Sequence, residues 1–257
     1  MTNILIWIYD TIFHNFGIAI ILFTIVIKLI TFPLTASQLK SQKKMQELNG
    51  SKKWQETQKK YKDDKEKLAQ EQMKIYKEMG INPLASCLPL LIQFPIMIGL
   101  YQSISLAMAQ APIQLLHLSR TIYSFIPASL LIPVNSYFLG MNLGLPESQT
   151  PLIPLPFSLP IFGYGIPIMT ILVVATTYFQ SKLMTPASAN PADQSAQMSK
   201  SMNLMMPLMM GFITFSLASG LALYFIVSNL LGIAQYAMMG NVNWSNLLPK
   251  RKAISTK

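Results

Sequence analysis

An apolar stretch of bilayer length lies near the beginning of the chain and carries one charge at its middle. Gly17 to Ala36 is long enough to cross the hydrocarbon core of a membrane as an α-helix. Lys28 lies about eleven residues, or ~16 Å, from the beginning of this stretch. An unpaired lysine at mid-bilayer costs roughly 2.5 to 3.5 kcal/mol on insertion scales. The pattern therefore predicts a first membrane span that has to place a lysine in a polar environment.

Three threonines share a helix face with this lysine. The stripe is spaced by four, three and four residues and consists of Thr24, Lys28, Thr31 and Thr35. The simpler alternative is that the Lys28 ammonium reaches a lipid headgroup, but a lysine side chain extends only ~6 Å from its own level. Lys28 needs more than that in either direction. We therefore expect this helix face to border a buried polar cavity.

The remaining hydrophobic pattern predicts four more spans and an all-α polytopic membrane protein. Ile122 to Leu139 is apolar enough to be mistaken for a further span, but Pro127 and Pro133 interrupt it. A sixth span would also move the basic end of the chain to the outer face. We therefore predict an outer-face loop with interfacial helical pieces there. The predicted division is an interfacial N-terminal helix (1–16), a first span (17–38), a cytoplasmic basic helical hairpin (39–82), a second span (83–108), the outer-face loop (109–160), a third span (161–183), a cytoplasmic loop (184–201), a fourth span (202–217), a fifth span (221–239) and a basic cytoplasmic tail (240–257).

The segment after the first span has the pattern of a helical hairpin. Asn49-Gly50 interrupts two stretches of helical periodicity. Apolar residues at intervals of seven predict a narrow seam along the second helix, formed by Trp54, Tyr61, Leu68 and Ile75. The first helix supplies a facing seam of Leu39, Met45 and Leu48. We therefore predict a short antiparallel coiled coil.

Composition and charge agree with a membrane protein and fix its orientation. Hydrophobic residues make up 51% of the chain and charged residues 12%, with a mean hydropathy of +0.38, which excludes an ordinary soluble domain. Of the 20 Lys and Arg residues, 12 are lysines between Lys40 and Lys77, and four more lie in the last eight residues. Basic segments beside spans face the cytoplasm, so five spans place the N-terminus outside and the C-terminus inside. The absence of a transit-peptide pattern favours a bacterial cytoplasmic (inner) membrane.

The lysines of the hairpin allow two interpretations. Seven acidic residues accompany the 12 lysines, so the segment is basic but mixed in sign. It forms either a solvated helix surface or a binding surface for anionic lipid headgroups, ribosomal RNA or a protein partner.

Other spans also carry polar groups at depth. Gln93 lies between Pro89 and Pro95, which interrupt the hydrogen-bond ladder of the second span. The third span has Gln180 and two threonines on one side, and the fifth carries Ser228, Asn229, Gly232 and Gln235. A polar side chain inside a membrane marks a functional site, so the side chains of Lys28, Gln93 and Gln180 are expected to converge on one water-accessible cavity.

Two other classes of membrane protein were weighed. An intramembrane protease needs a nucleophile with a base or a metal motif, but His14 and His117 lie outside the predicted spans and the sequence contains no H-E-x-x-H. We expect no catalytic residue, metal or cofactor. A secondary transporter that uses Lys28 and Gln93 as an intramembrane polar site is the alternative function. No inverted repeat is evident, and the predicted spans contain no carboxylate.

Several motifs carry a resemblance to a known family. Lys28 with Pro33-Leu34, the stretch QLKS from Gln38 to Ser41, and NPLASCLPLLIQFPIMIGLY from Asn82 to Tyr101 resemble the core of the YidC-type membrane-protein insertases. MNLMMPLMMGF from Met202 and SGLALYFIVSNLLGIAQ from Ser219 resemble the last two spans of that family. The similarity extends over nearly the whole chain, from Phe16 to Met239.

The resemblance implies a fold and a function. The expected fold is five transmembrane helices around a hydrophilic groove that is open to the cytoplasm and to lipid and closed on the outer side. The expected function is insertion and chaperoning of membrane proteins: the groove takes up the hydrophilic flank of a nascent span and releases the apolar segment sideways into lipid. The implied partners are nascent membrane proteins and lipids, with the ribosome and a Sec-type translocon as further candidates and no DNA. The candidate groove residues are Lys28, Thr24, Thr31, Gln93, Gln180, Phe225 and Asn229.

The sequence also departs from the family pattern. Lys28 stands at the position of a groove arginine, which keeps the charge but loses the planar guanidinium fork. Phe225 stands where the family commonly has tryptophan, and Ala218-Ser219-Gly220 lacks the usual proline before the glycine. The large outer domain of Gram-negative relatives and a lipoprotein cysteine are also expected to be absent.

Overall fold

The computed structural model describes residues 1–12, 14–61, 64–81, 88–108, 116, 118, 120, 122–123, 134–159, 163–184 and 194–239. These residues form helices α1 (Thr2–Thr11), α2 (Phe16–Gly50), α3 (Lys52–Lys60), α4 (Lys65–Glu78), α5 (Leu88–Ala107), α6 (Ile168–Met184), α7 (Gln194–Ser216) and α8 (Ser219–Met238). Four strands form two antiparallel hairpins: β1 (Tyr137–Phe138) with β2 (Met141–Asn142), and β3 (Ile153–Leu159) with β4 (Gly163–Ile166). The described part of the chain is therefore mostly helical, as the hydrophobic pattern predicts.

Helix α2 joins the predicted first span to the first helix of the cytoplasmic hairpin without a break. Asn15 caps it by accepting a hydrogen bond from the Ile18 amide at 3.2 Å. It contains Pro33, which membrane helices tolerate. Neither glycine nor a further proline follows Pro33 before Gly50, so nothing in the sequence ends the helix earlier. Its 35 residues give a length of ~50 Å.

Two of the described helical segments are long and apolar enough to cross a membrane, Phe16–Met45 within α2 and Ser219–Met238. Three shorter apolar segments lie at Leu91–Ala107, Ile168–Met184 and Asn203–Ser216. Each of these five segments overlaps one of the five predicted spans.

Helix α8 lies at the centre of the bundle. It contacts α2, α5, α6 and α7, and most of the side chains along its first half are buried, including Leu221, Tyr224 and Phe225. Apolar side chains of α1, α2, α5 and the predicted outer-face loop complete the same core. Helices α2, α5 and α8 therefore face one another around a shared interior.

Helix α1 uses only one face to contact this core. Leu5 and Ile6 are fully buried, whereas Ile4 and Trp7 on the other face are exposed. The Thr2 hydroxyl donates to Ser103 Oγ of α5 at 3.2 Å. This one-sided packing leaves an apolar surface facing outward, as an interfacial helix would have.

The predicted outer-face loop contains β-hairpins that the sequence reasoning did not anticipate. In the β1–β2 turn, Leu139 and Gly140 both have positive φ, the arrangement of a tight two-residue hairpin. The Phe138 ring lies against Gly17, where a Cβ atom would collide with it, so this hairpin is fixed to the beginning of α2.

The third span begins later than the predicted residue 161. Gly163–Ile166 pairs as β4 with β3, and the helix starts only at Ile168. The prolines at 151, 154 and 156 favour extended backbone, and Pro167 is suited to the position just before a helix.

The cytoplasmic hairpin also differs from the prediction of one long second helix. Helix α3 ends at Lys60 and α4 begins at Lys65, where Asp64 caps the new helix by accepting from the Lys67 amide at 3.0 Å. The chain folds back at this break, so Lys53 and Glu78 form an ion pair of 2.6 Å. Trp54 and Ile75, ~32 Å apart on a continuous helix, instead share a small apolar cluster with Leu48 and Ile81.

Other predicted boundaries shift or fall outside the described residues. Helix α7 begins at Gln194, so the last part of the predicted cytoplasmic loop is helical. The basic tail (240–257), the helix restart at Asn82-Pro83, Cys87, His117 and most of the apolar stretch 122–139 lie outside the described residues.

Candidate functional site

A small polar pocket lies between α2, α5 and α8. Its volume is about 70 Å³, room for a few water molecules. Its lining combines polar and apolar side chains: Ile27, Lys28, Thr31, Leu34, Thr35 and Gln38 from α2, Ile92, Gln93 and Ile96 from α5, and Tyr224 from α8. The sequence predicts that Lys28, Gln93 and Gln180 face one cavity. Lys28 and Gln93 line this pocket, whereas Gln180 is not among its lining residues.

Lys28 is held at depth by the helix that carries it. It lies twelve residues, or ~18 Å, beyond the beginning of α2, and its side chain is only partly exposed. Among the described residues, no carboxylate lies within ion-pair distance of its ammonium group. A cation in this position can attract an anionic group that enters the pocket.

Gln93 and Tyr224 join α5 to α8 across the pocket. The Gln93 side-chain amide donates to the Tyr224 hydroxyl at 3.1 Å. Pro95 follows in the same helix and frees a backbone carbonyl near this level. The pocket wall opposite Lys28 is therefore formed by groups that both donate and accept hydrogen bonds.

Gln180 approaches Lys28 from a third direction, over a glycine. A Cβ atom added at Gly232 of α8 would collide with Gln180 Nε2 and would lie 4.0 Å from Lys28 Nζ. The absence of a side chain at Gly232 thus lets the amide of α6 and the ammonium of α2 approach the same point on α8. One turn later on α8, Gln235 donates to the Lys28 carbonyl oxygen at 3.4 Å, and its own buried Oε1 has no partner among the described residues.

The predicted threonine stripe is satisfied within its own helix. The hydroxyls of Thr24, Thr31 and Thr35 donate to backbone carbonyls one turn earlier, at 2.6, 2.8 and 3.0 Å. Thr31 and Thr35 line the pocket, whereas Thr24, seven residues before Thr31, is fully buried and does not line it.

Phe225 and Asn229 are candidate groove residues that lie outside the pocket lining. Phe225 is buried, with its ring edge-on to Tyr224 at a centroid distance of 5.4 Å. Asn229 donates to Thr177 Oγ1 at 2.8 Å and to Thr176 Oγ1 at 3.1 Å. It therefore connects α8 to α6 behind the pocket.

Three residues of the site were not among the candidates. Tyr224 and Gln38 line the pocket, and Gly232 sets the approach of Gln180 to Lys28. Gln38 had a signal, since it is polar at the end of a span. Gly232 had one too, because a glycine inside a helix often marks a close approach. Tyr224 had none beyond its position in an apolar helix.

No cluster of three or more His, Cys, Asp or Glu residues that could hold a metal ion occurs among the described residues.

Comparison with known proteins gives the family. The chain matches the family described as 60Kd inner membrane protein over residues 7–245. The membrane protein insertase YidC of Chlorobaculum tepidum is 35% identical over 225 residues, which cover 88% of this chain and 32% of the relative. The insertase YidC of Syntrophobacter fumaroxidans is 34% identical over 236 residues, 91% of this chain and 36% of the relative.

A third insertase YidC, from Chlorobium limicola, is 31% identical over 236 residues, 92% of this chain and 35% of the relative. The chain thus spans about a third of the length of the curated relatives it matches. Because the family match covers most of the chain, the chain belongs to the 60Kd inner membrane protein family, the family of the YidC-type insertases.

Proposed function

We propose that this chain is a membrane-protein insertase and chaperone whose pocket around Lys28 captures the hydrophilic flank of a nascent span. The observation that carries the proposal is a lysine in the middle of an apolar helix, in a pocket that it shares with Gln93 and Tyr224. The names of the curated relatives support the same activity.

We propose five spans around a hydrophilic groove, with the N-terminus outside and the C-terminus in the cytoplasm. The five apolar segments of α2, α5, α6, α7 and α8 support this number. The lysine-rich hairpin at one end of α2 supports the orientation, since basic segments remain on the cytoplasmic side. The pocket is then the described part of the groove.

Insertion by such a groove needs no nucleotide. A hydrophilic tail that crosses ~30 Å of hydrocarbon loses its hydration, and this loss is the main barrier. A polar pocket at mid-depth shortens the dry path. The apolar segment that follows leaves sideways into lipid, where burial of its ~20 residues drives the step.

Each candidate residue has a role in this process. Lys28 attracts acidic groups of the tail, and Gln93 with Tyr224 exchanges hydrogen bonds with its backbone. Gln180, beside Lys28 at Gly232, offers a second donor to the same group. The α3–α4 hairpin presents its lysines to anionic headgroups or to the ribosome. Neither the site nor the relatives favour a transporter that uses Lys28 and Gln93.

The proposal is tested by an insertion assay in liposomes that contain the full chain and single-span clients with acidic, neutral or basic tails. Lys28→Arg is expected to retain insertion of all three clients. Lys28→Ala and Lys28→Glu are expected to impair the acidic client most. A charge pair at ~4 Å is worth on the order of 1 to 4 kcal/mol in a hydrated site, which is roughly a five- to several-hundred-fold effect.

A matched control is Lys43→Ala, which removes an exposed lysine from the same helix. It is expected to show no dependence on the charge of the tail. Equal insertion of all three clients by Lys28→Ala would refute an electrostatic role of Lys28, and failure of the unchanged chain to insert any client would refute the proposed function.

A further inference from the structure

Glu147 is a buried carboxylate that the proposed groove does not use. It is the single acidic residue between 109 and 164, and only 1% of its surface is exposed. Its two carboxylate oxygens accept three hydrogen bonds: from the Met169 amide at 2.8 Å, the Thr170 amide at 2.8 Å and the Thr170 hydroxyl at 2.9 Å. A buried carboxylate without partners is costly, so this set of donors is what keeps Glu147 in place.

These donors lie in the first turn of α6. The amides of a first helical turn have no partner within their own helix, and the helix dipole favours a negative charge there. Glu147 therefore connects the predicted outer-face loop to the outer end of α6. The two amides have no acceptor within their own helix that could take its place.

The residues just before Glu147 connect the same segment to the turn between α7 and α8. The Leu143 carbonyl accepts from the Gly220 amide at 2.9 Å. The Leu145 carbonyl accepts from the Ser219 amide at 2.9 Å and from the Ser219 hydroxyl at 2.8 Å. Pro146 pairs with Ala218 as an isolated β-bridge.

Gly220 is the point at which this segment meets two further helices. A Cβ atom there would lie 3.1 Å from Ile104 of α5, 3.1 Å from Ile20 of α2 and 3.2 Å from the Leu143 carbonyl oxygen. Even one methyl group would be tight. The segment thus bonds to α6, to the beginning of α8 and to the turn between α7 and α8, at the point where α8 packs against α2 and α5.

Closely packed side chains of α2 also lie between this segment and the polar pocket. Ile20 is eight residues, or ~12 Å, before Lys28 on α2, and Phe23 and Thr24 between them are buried. Water in the pocket therefore meets closely packed side chains in the outward direction.

We infer that residues 143–147 form the outer seal of the groove and that Glu147 is the positioning residue that holds this seal closed. The inference rests on the proposed function, since it explains how a polar groove stays closed on one side. When Glu147 loses its bonds to α6, the segment is released from one of its two attachments, and water gains access to the groove from outside.

Sided labelling of a buried cysteine tests this inference. Thr24→Cys, in a chain with Cys87→Ser, places a thiol between the seal and the pocket, and right-side-out membrane vesicles are treated with a membrane-impermeant maleimide. Little outside labelling is expected with Glu147 present. Glu147→Gln is expected to raise its rate at least tenfold, because the amide keeps one acceptor and turns an N–H toward donors.

Two milder variants keep the test valid where Glu147→Gln does not fold. Thr170→Val removes one of the three donors and keeps the shape of the side chain, so an intermediate rate is expected. Glu147→Asp keeps the carboxylate and should lie closer to the unchanged chain than Glu147→Gln does. Gln149→Ala, an exposed change in the same segment, is the control and should leave the rate unchanged.

The outcomes are distinct. Unchanged outside labelling in Thr170→Val and in folded Glu147→Gln would overturn the seal, as would an equal rise in Gln149→Ala. A rise in labelling from both membrane faces at a pocket position, Ile27→Cys, would mean general unfolding and would also overturn it. Client insertion is measured separately with the chain that carries no substitution: if that chain inserts nothing while the Thr24→Cys reporter labels as expected, the proposed function is contradicted and the seal stands.

Discussion

At Gly232, the missing side chain decides how close two polar groups come. Gln180 and Lys28 reach the same point on α8 because no Cβ atom occupies it. Glycine in the interior of a helix costs about 1 kcal/mol relative to alanine. The close approach is therefore kept at the expense of helix stability, which is typical of a functional position.

We predict that substitutions at Gly232 separate stability from activity. Gly232→Ala should leave thermal stability nearly unchanged, since the gain in helix propensity offsets the displacement of the flexible Gln180 amide. Gly232→Leu should lower insertion of an acidic-tailed client at least tenfold, because the side chain fills the space between Gln180 and Lys28. The measurements are a thermal melt in detergent and the liposome insertion assay.

The matched control is Ala234→Leu, which places the same side chain at an exposed position of α8. It should insert the client normally. Combining Gly232→Ala with Gln180→Ala should restore any thermal stability lost in Gly232→Ala, and the absence of such a rescue would contradict the proposed contact.

Part of the site could be predicted at the residue scale. Lys28 and Gln93 could be found because a polar side chain inside an apolar span is conspicuous. Tyr224 could not, since an aromatic residue in such a span is ordinary until a partner on another helix is known. Asn229 has the same composition signal as Gln93, yet its amide bonds to Thr177. Sequence does not tell which neighbouring helix a polar group faces.

At the scale of elements, the cap of α4 gives the hairpin a dependence on pH. The Lys67 amide and ammonium hold the pKa of the Asp64 carboxyl below its ordinary value. A carboxyl whose pKa is lower in the folded state stabilises that state above its unfolded pKa, and the contribution is lost as the pH falls through the folded pKa.

We therefore predict that the first turn of α4 loosens as the pH falls below ~4. Hydrogen exchange of the Lys67 and Leu68 amides, expressed as protection factors to remove the intrinsic pH effect, is the measurement. Asp64→Asn should abolish the change, because asparagine caps equally well and does not titrate. Glu66→Gln, at an exposed acidic position of the same turn, should keep it; a dependence that persists in Asp64→Asn would show that another group is responsible.

Most of the helices could be predicted from the sequence, but the residues at which they begin and end could not. Hydrophobic length indicated each of the five apolar helices, since only helices satisfy the backbone in lipid. The heptad spacing from Trp54 to Ile75 is compatible with one continuous helix. The break becomes clear only in the structure, where the Asp64 carboxylate accepts from the Lys67 amide and caps a new helix. The prolines around β3 favour extended backbone, but they do not show that this strand pairs with β4.

At the scale of the molecule, the arrangement predicts which residues face each side of the membrane. Tyr137 lies in β1 near the beginning of α2, and Lys59 lies in α3 beyond its end; both are exposed. In the Cys87→Ser chain, Tyr137→Cys should react with an impermeant maleimide added to intact cells. Lys59→Cys should react only after the membrane is opened. Labelling of Lys59→Cys in intact cells would reverse the proposed orientation.

The overall architecture was the most predictable level. Helix content and hydropathy are properties of whole segments, so errors of a few residues at each boundary do not change the prediction of a mostly helical membrane protein. The proposed role of residues 143–147 could not be predicted from the sequence. It depends on hydrogen bonds to the Leu143 and Leu145 backbone carbonyls, and every residue type has such a carbonyl.

The internal hydrogen bonds of the α2 threonines bear on how long a client remains bound. The hydroxyl protons of Thr31 and Thr35 are already donated to carbonyls of their own helix. A client that moves along this face can donate to these oxygens but receives no proton from them. Few bonds to the wall then have to break when the client departs. We expect these threonines to keep the dwell time short, so that dissociation into lipid is fast even where capture by Lys28 is strong.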